Sequence, residues 1–158
     1  PHVVRDYYQA VKGLSAGTYI NGLHLGEWTN TSPTMYLWMR LMWNPDLDVD
    51  AVLDEMCKRL YGKAGGTARE LIRLQCTLWQ NGPWKNRRVK DRGAWPVPEH
   101  LSPRVWTPSM VQRLKKLRDR ALTELVGDPL ARQRFLYWTW CFDAFVKEAG
   151  TRGGKKTE

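Results

Sequence analysis

The sequence contains no run of eighteen apolar residues, the approximate length needed for a transmembrane helix. Cysteine is scarce, because Cys57, Cys76 and Cys141 are odd in number and far apart, which excludes a disulfide framework. The three histidines share no metal-ligand spacing with one another or with the cysteines. The sequence therefore predicts no membrane partner, no metal site and no cofactor.

Motifs for nucleophilic catalysis and phosphate binding are also lacking. No serine stands in a nucleophile elbow, and nothing places a serine or cysteine beside a histidine and an acid. The segment KAGGTARE (63–70) has two glycines but lacks the Walker pattern and a preceding strand. Its glycines are interpreted as the connection between two helices.

What the sequence does contain is nine tryptophans and a formal charge of +9 in 158 residues, enough chain for one domain. The charge is uneven: residues 1–62 have five basic against seven acidic side chains, and residues 63–158 have twenty against nine. Such asymmetry can indicate a nucleic-acid partner. A solvated, arginine-rich helical surface explains it equally well and is the simpler interpretation.

Five start signals predict five helices, and each has a stop signal downstream. The start signals are Ser32–Pro33, Asp48, a capping box over Thr67–Glu70, Thr107–Pro108 and Asp128–Pro129. The matching stop signals are Pro45, Gly62, Asn81–Pro83, Gly127 and Gly150. A further helix is predicted from Val3 to Lys12.

The second of these helices has the clearest apolar spacing, with residues recurring at three and four: Val49, Val52, Leu53, Met56 and Leu60. Acidic residues crowd its start: Asp46, Asp48, Asp50, Asp54 and Glu55. Glycosidases use two carboxylates that flank the bond. Acids at a helix start are already favoured by capping and by the helix dipole, so the cluster is interpreted as structural.

A long loop is predicted over 81–106, where prolines and glycines are frequent. Between Trp84 and Trp95 it has five basic residues, a mixture typical of platforms for single-stranded nucleic acid. The flanking tryptophans favour instead a surface loop pinned to the helices. The tail 151–158 is polar and is predicted to be disordered.

Residues 1–31 differ from the rest of the chain. The segment GTYINGL (17–23) has the composition of a strand between glycines, but no second strand signal exists with which it could pair. An orphan strand is what a cut through a larger α/β domain leaves. Together with a first segment that resembles neither a signal peptide nor a domain start, it suggests a fragment.

The best local candidate for a site follows this strand, in GLHLGEWTNTSP (22–33). It combines His24, Glu27, Trp28 and Asn30 within a predicted loop ahead of a helix. A tryptophan face with neighbouring carboxylate and amide groups suits a sugar ring, which has apolar faces and hydroxyl edges. The alternative is that Trp28 packs on the helices and Glu27 points to water.

The stretch from Ser32 to Ala64 resembles a known family. The matching residues are Tyr36, Arg40, the block Leu41–Asp48 and the block Tyr61–Ala64, with Trp106–Pro108 and Arg132–Phe135 further along. They are similar to the domain of unknown function that forms the C-terminal part of large bacterial carbohydrate-active proteins. Those proteins resemble α-glucuronidases and β-N-acetylhexosaminidases in layout. The resemblance covers roughly residues 5–150.

The resemblance implies a mainly α fold: a five-helix, bundle-like C-terminal domain over 32–150, with residues 1–31 as the end of a (β/α)8 barrel. GTYINGL would be the last barrel strand, and Trp43 would close its helix against a neighbour. Catalytic carboxylates of such barrels lie on earlier strands, so no catalytic residue is carried over. Extracytoplasmic localisation is favoured by the resemblance alone.

The leading hypothesis is therefore a helical part of a glycoside-hydrolase-like protein. It would support the missing N-terminal barrel, contribute to the rim of a site for an oligo- or polysaccharide, and be inactive alone. It predicts exposed apolar side chains near residues 1–30. The alternative is a small basic helical module that binds a partner protein or nucleic acid, of which nucleic acid is the less expected partner.

Overall fold

A computed structural model of the chain describes residues 2–15, 25–81 and 107–140, with the backbone alone described in 25–31 and 78–81. This part of the chain is mainly helical, as predicted, and contains no strand. Its α-helices are α1 (His2–Ala10), α2 (Leu25–Trp43), α3 (Val49–Tyr61), α4 (Gly65–Asn81), α5 (Pro108–Glu124) and α6 (Pro129–Trp138). A 3-10 turn, Gly62–Ala64, joins α3 to α4. The predicted strand at 17–23, the loop from residue 82 to 106 and the tail at 151–158 lie outside the described residues.

Three of the predicted helix starts are confirmed. The Asp48 carboxylate accepts a hydrogen bond from the Ala51 N–H at 2.7 Å, which caps α3. The Asp128 carboxylate accepts from the Ala131 N–H at 3.0 Å and caps α6. Thr107 caps α5, and a proline follows both Thr107 and Asp128, as expected for the first helical position.

The predicted start of α2 at Ser32–Pro33 is wrong. The helix begins at Leu25, so residues 25–31 are helical rather than a loop, and Pro33 lies inside the helix. A proline inside a helix removes one ladder hydrogen bond but supports the helical φ angle. Pro33 is buried, and the helix continues through it. The end of the helix at Trp43, ahead of Pro45, agrees with the prediction.

The predicted capping box of α4 is also wrong. The helix begins at Gly65, and the buried Thr67 hydroxyl donates a hydrogen bond to Glu124 Oε2 at 2.7 Å instead of capping its own helix. This bond joins the start of α4 to the end of α5. A contact with a residue so distant in sequence overrides a local capping signal.

The helix after Asp128 is shorter than predicted. It ends at Trp138 rather than at Gly150, and the residues beyond Trp140 lie outside the described part of the chain. At Thr139 both the backbone N–H and the hydroxyl donate to the carbonyl oxygen of Phe135, each at 2.9 Å. The Thr139 hydroxyl thus shares the Phe135 carbonyl oxygen with the Thr139 backbone N–H.

Helix α3 lies at the centre of the bundle and packs against α2, α4 and α6. Its buried residues are Val49, Val52, Leu53, Met56, Cys57 and Tyr61. The predicted stripe is therefore confirmed, except that Leu60 is half-buried and Tyr61 takes the inner position at the end of the helix.

Two glycines allow α3 and α4 to form a tight hairpin. Gly62 has φ +47°, and its N–H donates to the Lys58 carbonyl at the end of α3. Gly65 starts α4 so close to α3 that a Cβ atom there would lie 3.1 Å from the Cys57 carbonyl oxygen. The segment KAGG does lie where two helices meet, but its two glycines are the first residues of α4 rather than the connection itself, and close backbone approach is the reason for the glycine at position 65.

An aromatic cluster packs α6 against the end of α3. Tyr61 stacks on Trp138 with ring centres 5.4 Å apart, and Phe135 meets both rings edge-on at 5.6 and 5.5 Å. All three side chains are buried. Edge-to-face pairs of this kind add about 0.5–1.5 kcal/mol beyond simple burial.

Replacing Phe135 by alanine tests how much this aromatic cluster contributes to the stability of the fold. Because Phe135 is 0% exposed, we expect Phe135→Ala to lower the free energy of unfolding by about 3–5 kcal/mol. Chemical denaturation followed by circular dichroism measures the change. Leu130→Ala, on the same helix but 54% exposed, should change stability by less than about 0.5 kcal/mol. Equal effects of the two substitutions would show that α6 is not fastened through Phe135.

Candidate functional site

Of the four predicted sugar-binding residues, the structure describes the backbone of three. The backbone of Glu27, Trp28 and Asn30 lies in the first two turns of α2, so these three positions are neighbours on one helix rather than on a loop. His24 lies outside the described residues. The basic segment between Trp84 and Trp95 does too.

An arginine that the sequence interpretation missed connects the acidic cluster to α4. The side chain of Arg69 is 7% exposed, its Nε donates to Asp54 Oδ1 at 2.7 Å, and its Nη2 pairs with Asp50 Oδ1. Asp50 and Asp54 are one helical turn apart on α3 and thus face the same side. That spacing was the one sequence signal for a shared cation, although it could not identify which basic residue supplies it.

The other acids of the cluster are also occupied. Asp48 caps α3, and Asp46 pairs with Lys12 after α1. Glu55 pairs with Arg40 at 3.5 Å and with Arg59 at 3.1 Å. The interpretation of these carboxylates as structural therefore holds for Asp48 as a cap, while the remaining four form ion pairs rather than caps.

Arg40 of α2 has one partner on its own helix, Tyr36, and one on α3, Glu55. Its Nη1 donates to the Tyr36 hydroxyl at 3.2 Å, and its guanidinium lies 5.9 Å from the centre of the Tyr36 ring. The Tyr36 hydrogen bond and the Glu55 charge raise the pKa of Arg40, which is therefore a fixed cation. Two residues on which the family resemblance depends thus have a structural role at this helix pair.

An open groove of about 590 Å³ lies beside the α3–α4 hairpin. Charged side chains from both helices line it: Asp54 and Lys58 from α3, and Arg69, Glu70 and Arg73 from α4. Gly62, Gly65 and Gly66 contribute backbone to its surface. Of its two acids, Asp54 is paired with Arg69, and Glu70 lies 3.6 Å from Arg113 of α5.

Several large apolar side chains remain on the surface. On α2 these are Met39, Met42 and Trp43, which recur at three and four residues and so form one face. Trp43 is 92% exposed, so the prediction that it closes its helix against a neighbour is wrong.

Around α1, Val3, Tyr7 and Leu14 are exposed while Tyr8 enters the core. Apolar surface near the start of the chain is what the carbohydrate hypothesis expects.

The described cysteines do not have the surroundings of catalytic nucleophiles. Burial raises the pKa of the Cys57 thiol to about 12; the Arg69 charge opposes this change and the Asp54 charge adds to it. Burial likewise raises the pKa of Cys76. A raised pKa keeps a thiol protonated, whereas a nucleophile needs the thiolate.

Among the described residues, no group of three or more histidine, cysteine or acidic side chains is arranged to hold a metal ion. None of the described helices is both long enough and apolar enough to cross a membrane.

Comparison with known proteins yields no match, since no protein-family model, no curated protein and no solved structure is significantly similar to the chain. The geometry of the described residues and the sequence resemblance are thus the grounds for a functional proposal.

The ion-pair cluster gives a prediction about stability. Arg69→Met keeps the buried stem but removes the charge shared by Asp50 and Asp54. Since both acids are more than half exposed and can rehydrate, we expect a loss of about 1–2 kcal/mol rather than the larger cost of an orphaned buried charge. Urea denaturation measures it. Arg73→Met, an exposed arginine of the same helix, should change stability little, and an equal loss in both variants would contradict the role of Arg69.

The raised pKa of Cys57 gives a prediction about pH. The unfolded thiol ionises near its ordinary value of 9.0, while the folded thiol stays neutral to about 12. Stability should therefore decrease as the pH rises above 9, because only the unfolded state gains the charge. Urea midpoints from about pH 8 to about pH 10 should fall less steeply in Cys57→Ala than in the parent chain. Parallel slopes would show that the thiol ionises equally in both states.

Proposed function

We propose that the chain is a helical part of a glycoside-hydrolase-like, carbohydrate-active protein, in which it supports a (β/α)8 barrel and contributes to the rim of the sugar site. The proposal rests on the sequence resemblance and is supported by the mainly α architecture. The observation that carries it furthest is the apolar surface of the first two helices, above all the exposed indole of Trp43. A helical unit that supports a larger neighbour needs such a surface.

The block Leu41–Asp48, which is part of the family resemblance, has a clear local role at the connection between α2 and α3. Asn44 ends α2, its side-chain oxygen accepts the Asp46 N–H at 3.0 Å, and Asp48 starts α3. Lys12, after α1, pairs with Asp46. The block therefore fixes the angle between α2 and α3 and leaves the adjacent Trp43 on the outside. This is a supporting role rather than a catalytic one.

The proposal expects no hydrolysis by the chain alone. A glycosidase needs a carboxylate pair on either side of the scissile bond. The five acids from Asp46 to Glu55 are each engaged in a cap or an ion pair. Under the proposal, the rim residues His24, Glu27, Trp28 and Asn30 contact the sugar, and the catalytic carboxylates belong to the barrel.

Glycan binding by the purified chain tests the proposal. We expect calorimetric titration against an oligosaccharide panel to find at least one ligand, with an affinity that changes little between low and high salt. Trp28→Ala should weaken that binding by roughly tenfold, since stacking aromatics dominate such contacts. Trp140→Ala, a matched substitution of a tryptophan that is 66% exposed, should leave it unchanged.

A single-stranded oligonucleotide titrated under the same conditions separates the alternative. Affinity for it that falls steeply with salt, with no response to any sugar, would overturn the carbohydrate proposal and favour a basic binding module.

A further inference from the structure

The groove beside the α3–α4 hairpin has a charge arrangement that the proposed function does not use. Its walls come from the outer faces of two adjacent helices, and three cations line it: Lys58, Arg69 and Arg73. Two acids, Asp54 and Glu70, line it as well. Whether the groove attracts an anion or a cation depends on which of these charges are already neutralised.

The two acids are the charges that have partners. Asp54 accepts from Arg69 Nε at 2.7 Å, and Glu70 lies 3.6 Å from Arg113 Nη2. Arg69 has a second carboxylate partner, because its Nη2 pairs with Asp50. Lys58 and Arg73 have no ion-pair partner in the described part of the chain. Lys58 and Arg73, one from each wall, are thus the groove cations without an ion-pair partner among the described residues, and the charged side chains that line the groove have a net charge of +1.

The surface between these cations is open backbone. A Cβ atom on Gly66 would meet nothing within 4 Å, so the space above this residue belongs to the groove. Gly65 next to it has no room for a side chain on the α3 side. A ligand in the groove can therefore approach the main chain at Gly66.

We propose that this groove binds an oxyanion group, phosphate or sulfate, held between the Lys58 ammonium and the Arg73 guanidinium. Charge-assisted hydrogen bonds from both cations to one tetrahedral anion are stronger than bonds between neutral groups. Arg69 is a positioning residue: Asp50 and Asp54 hold it in place, and it shares its charge between them. The proposal does not depend on the carbohydrate proposal, and the groove could take a free anion or the anionic substituent of a larger ligand.

The test is an NMR titration of the full chain with inorganic phosphate, in which sodium chloride keeps the ionic strength constant. Constant ionic strength matters because phosphate and sulfate also stabilise proteins through general exclusion from their surface. We expect saturable shifts of the Gly65 and Gly66 amide signals in the millimolar range. Signals that do not move, or that move linearly with many others, would overturn the proposal.

Substitutions of groove residues test whether phosphate binds in the groove. Lys58→Ala and Arg73→Ala should each weaken phosphate binding by roughly threefold or more, since each removes one charged contact at an exposed position. Gly66→Ala favours the helix but places a methyl group in the groove, so it should reduce binding without loss of stability. Lys116→Ala, an exposed lysine of α5 that does not line the groove, is the matched control. Equal affinities in all four variants would overturn the assignment.

A second titration distinguishes the two sources of the anion. Glucose 6-phosphate that binds more tightly than inorganic phosphate, with glucose itself inactive, assigns the groove to a phosphorylated ligand. Equal affinity for the two phosphates assigns it to the free anion. Binding of neutral glucose at the same amides would overturn the proposal, because no charge would then be required.

Discussion

Burial of α3 on several sides is the constraint on which the rest of the structure depends. The helix contacts α2, α4 and α6, and its inner residues recur at the three- and four-residue spacing that such contact requires. Each neighbour is also fastened to it by a specific polar or aromatic contact: Arg40 with Glu55, Arg69 with Asp50 and Asp54, and Trp138 with Tyr61. Loss of α3 would remove the helix that joins the α2–α6 pair to the α4–α5 pair.

The same helix organises the charge of the molecule. Its outward acids neutralise basic side chains from α2 and α4, and Glu70 and Glu124 do the same for arginines of α5. Arg69, with Asp50 and Asp54, pairs the basic second part of the sequence with the acidic first part, whereas the other pairs named here lie within one part. The formal charge of +9 already counts every acid, so these pairs position charges at the helix contacts without reducing the surplus.

Local signals in the sequence predicted a large part of the described fold. The caps at Asp48, Thr107 and Asp128 are confirmed because each depends on a side chain and an N–H three residues later. The errors at Ser32–Pro33 and at Thr67 have different reasons. Pro33 is buried within a helix that already begins at Leu25, whereas Thr67 bonds to Glu124 instead of capping its own helix.

The candidate sites were less predictable. The sugar-rim prediction rests on residue types in a short segment, and the structure adds that Glu27, Trp28 and Asn30 share a helix. The groove could not be predicted, because it depends on which acids are neutralised. That pairing joins Arg69 to Asp54 over 15 positions and Glu70 to Arg113 across two helices. The exposure of Trp43 was missed because an indole at a helix end is ordinarily expected to pack.

The tight turn between α3 and α4 has a consequence for the order of folding. The bonds from Arg69 to Asp54 and Asp50 span 15 and 19 positions, whereas the bond from Thr67 to Glu124 spans 57. Closing a short loop costs less chain entropy than closing a long one. We therefore expect the α3–α4 hairpin to form before α5 docks on it.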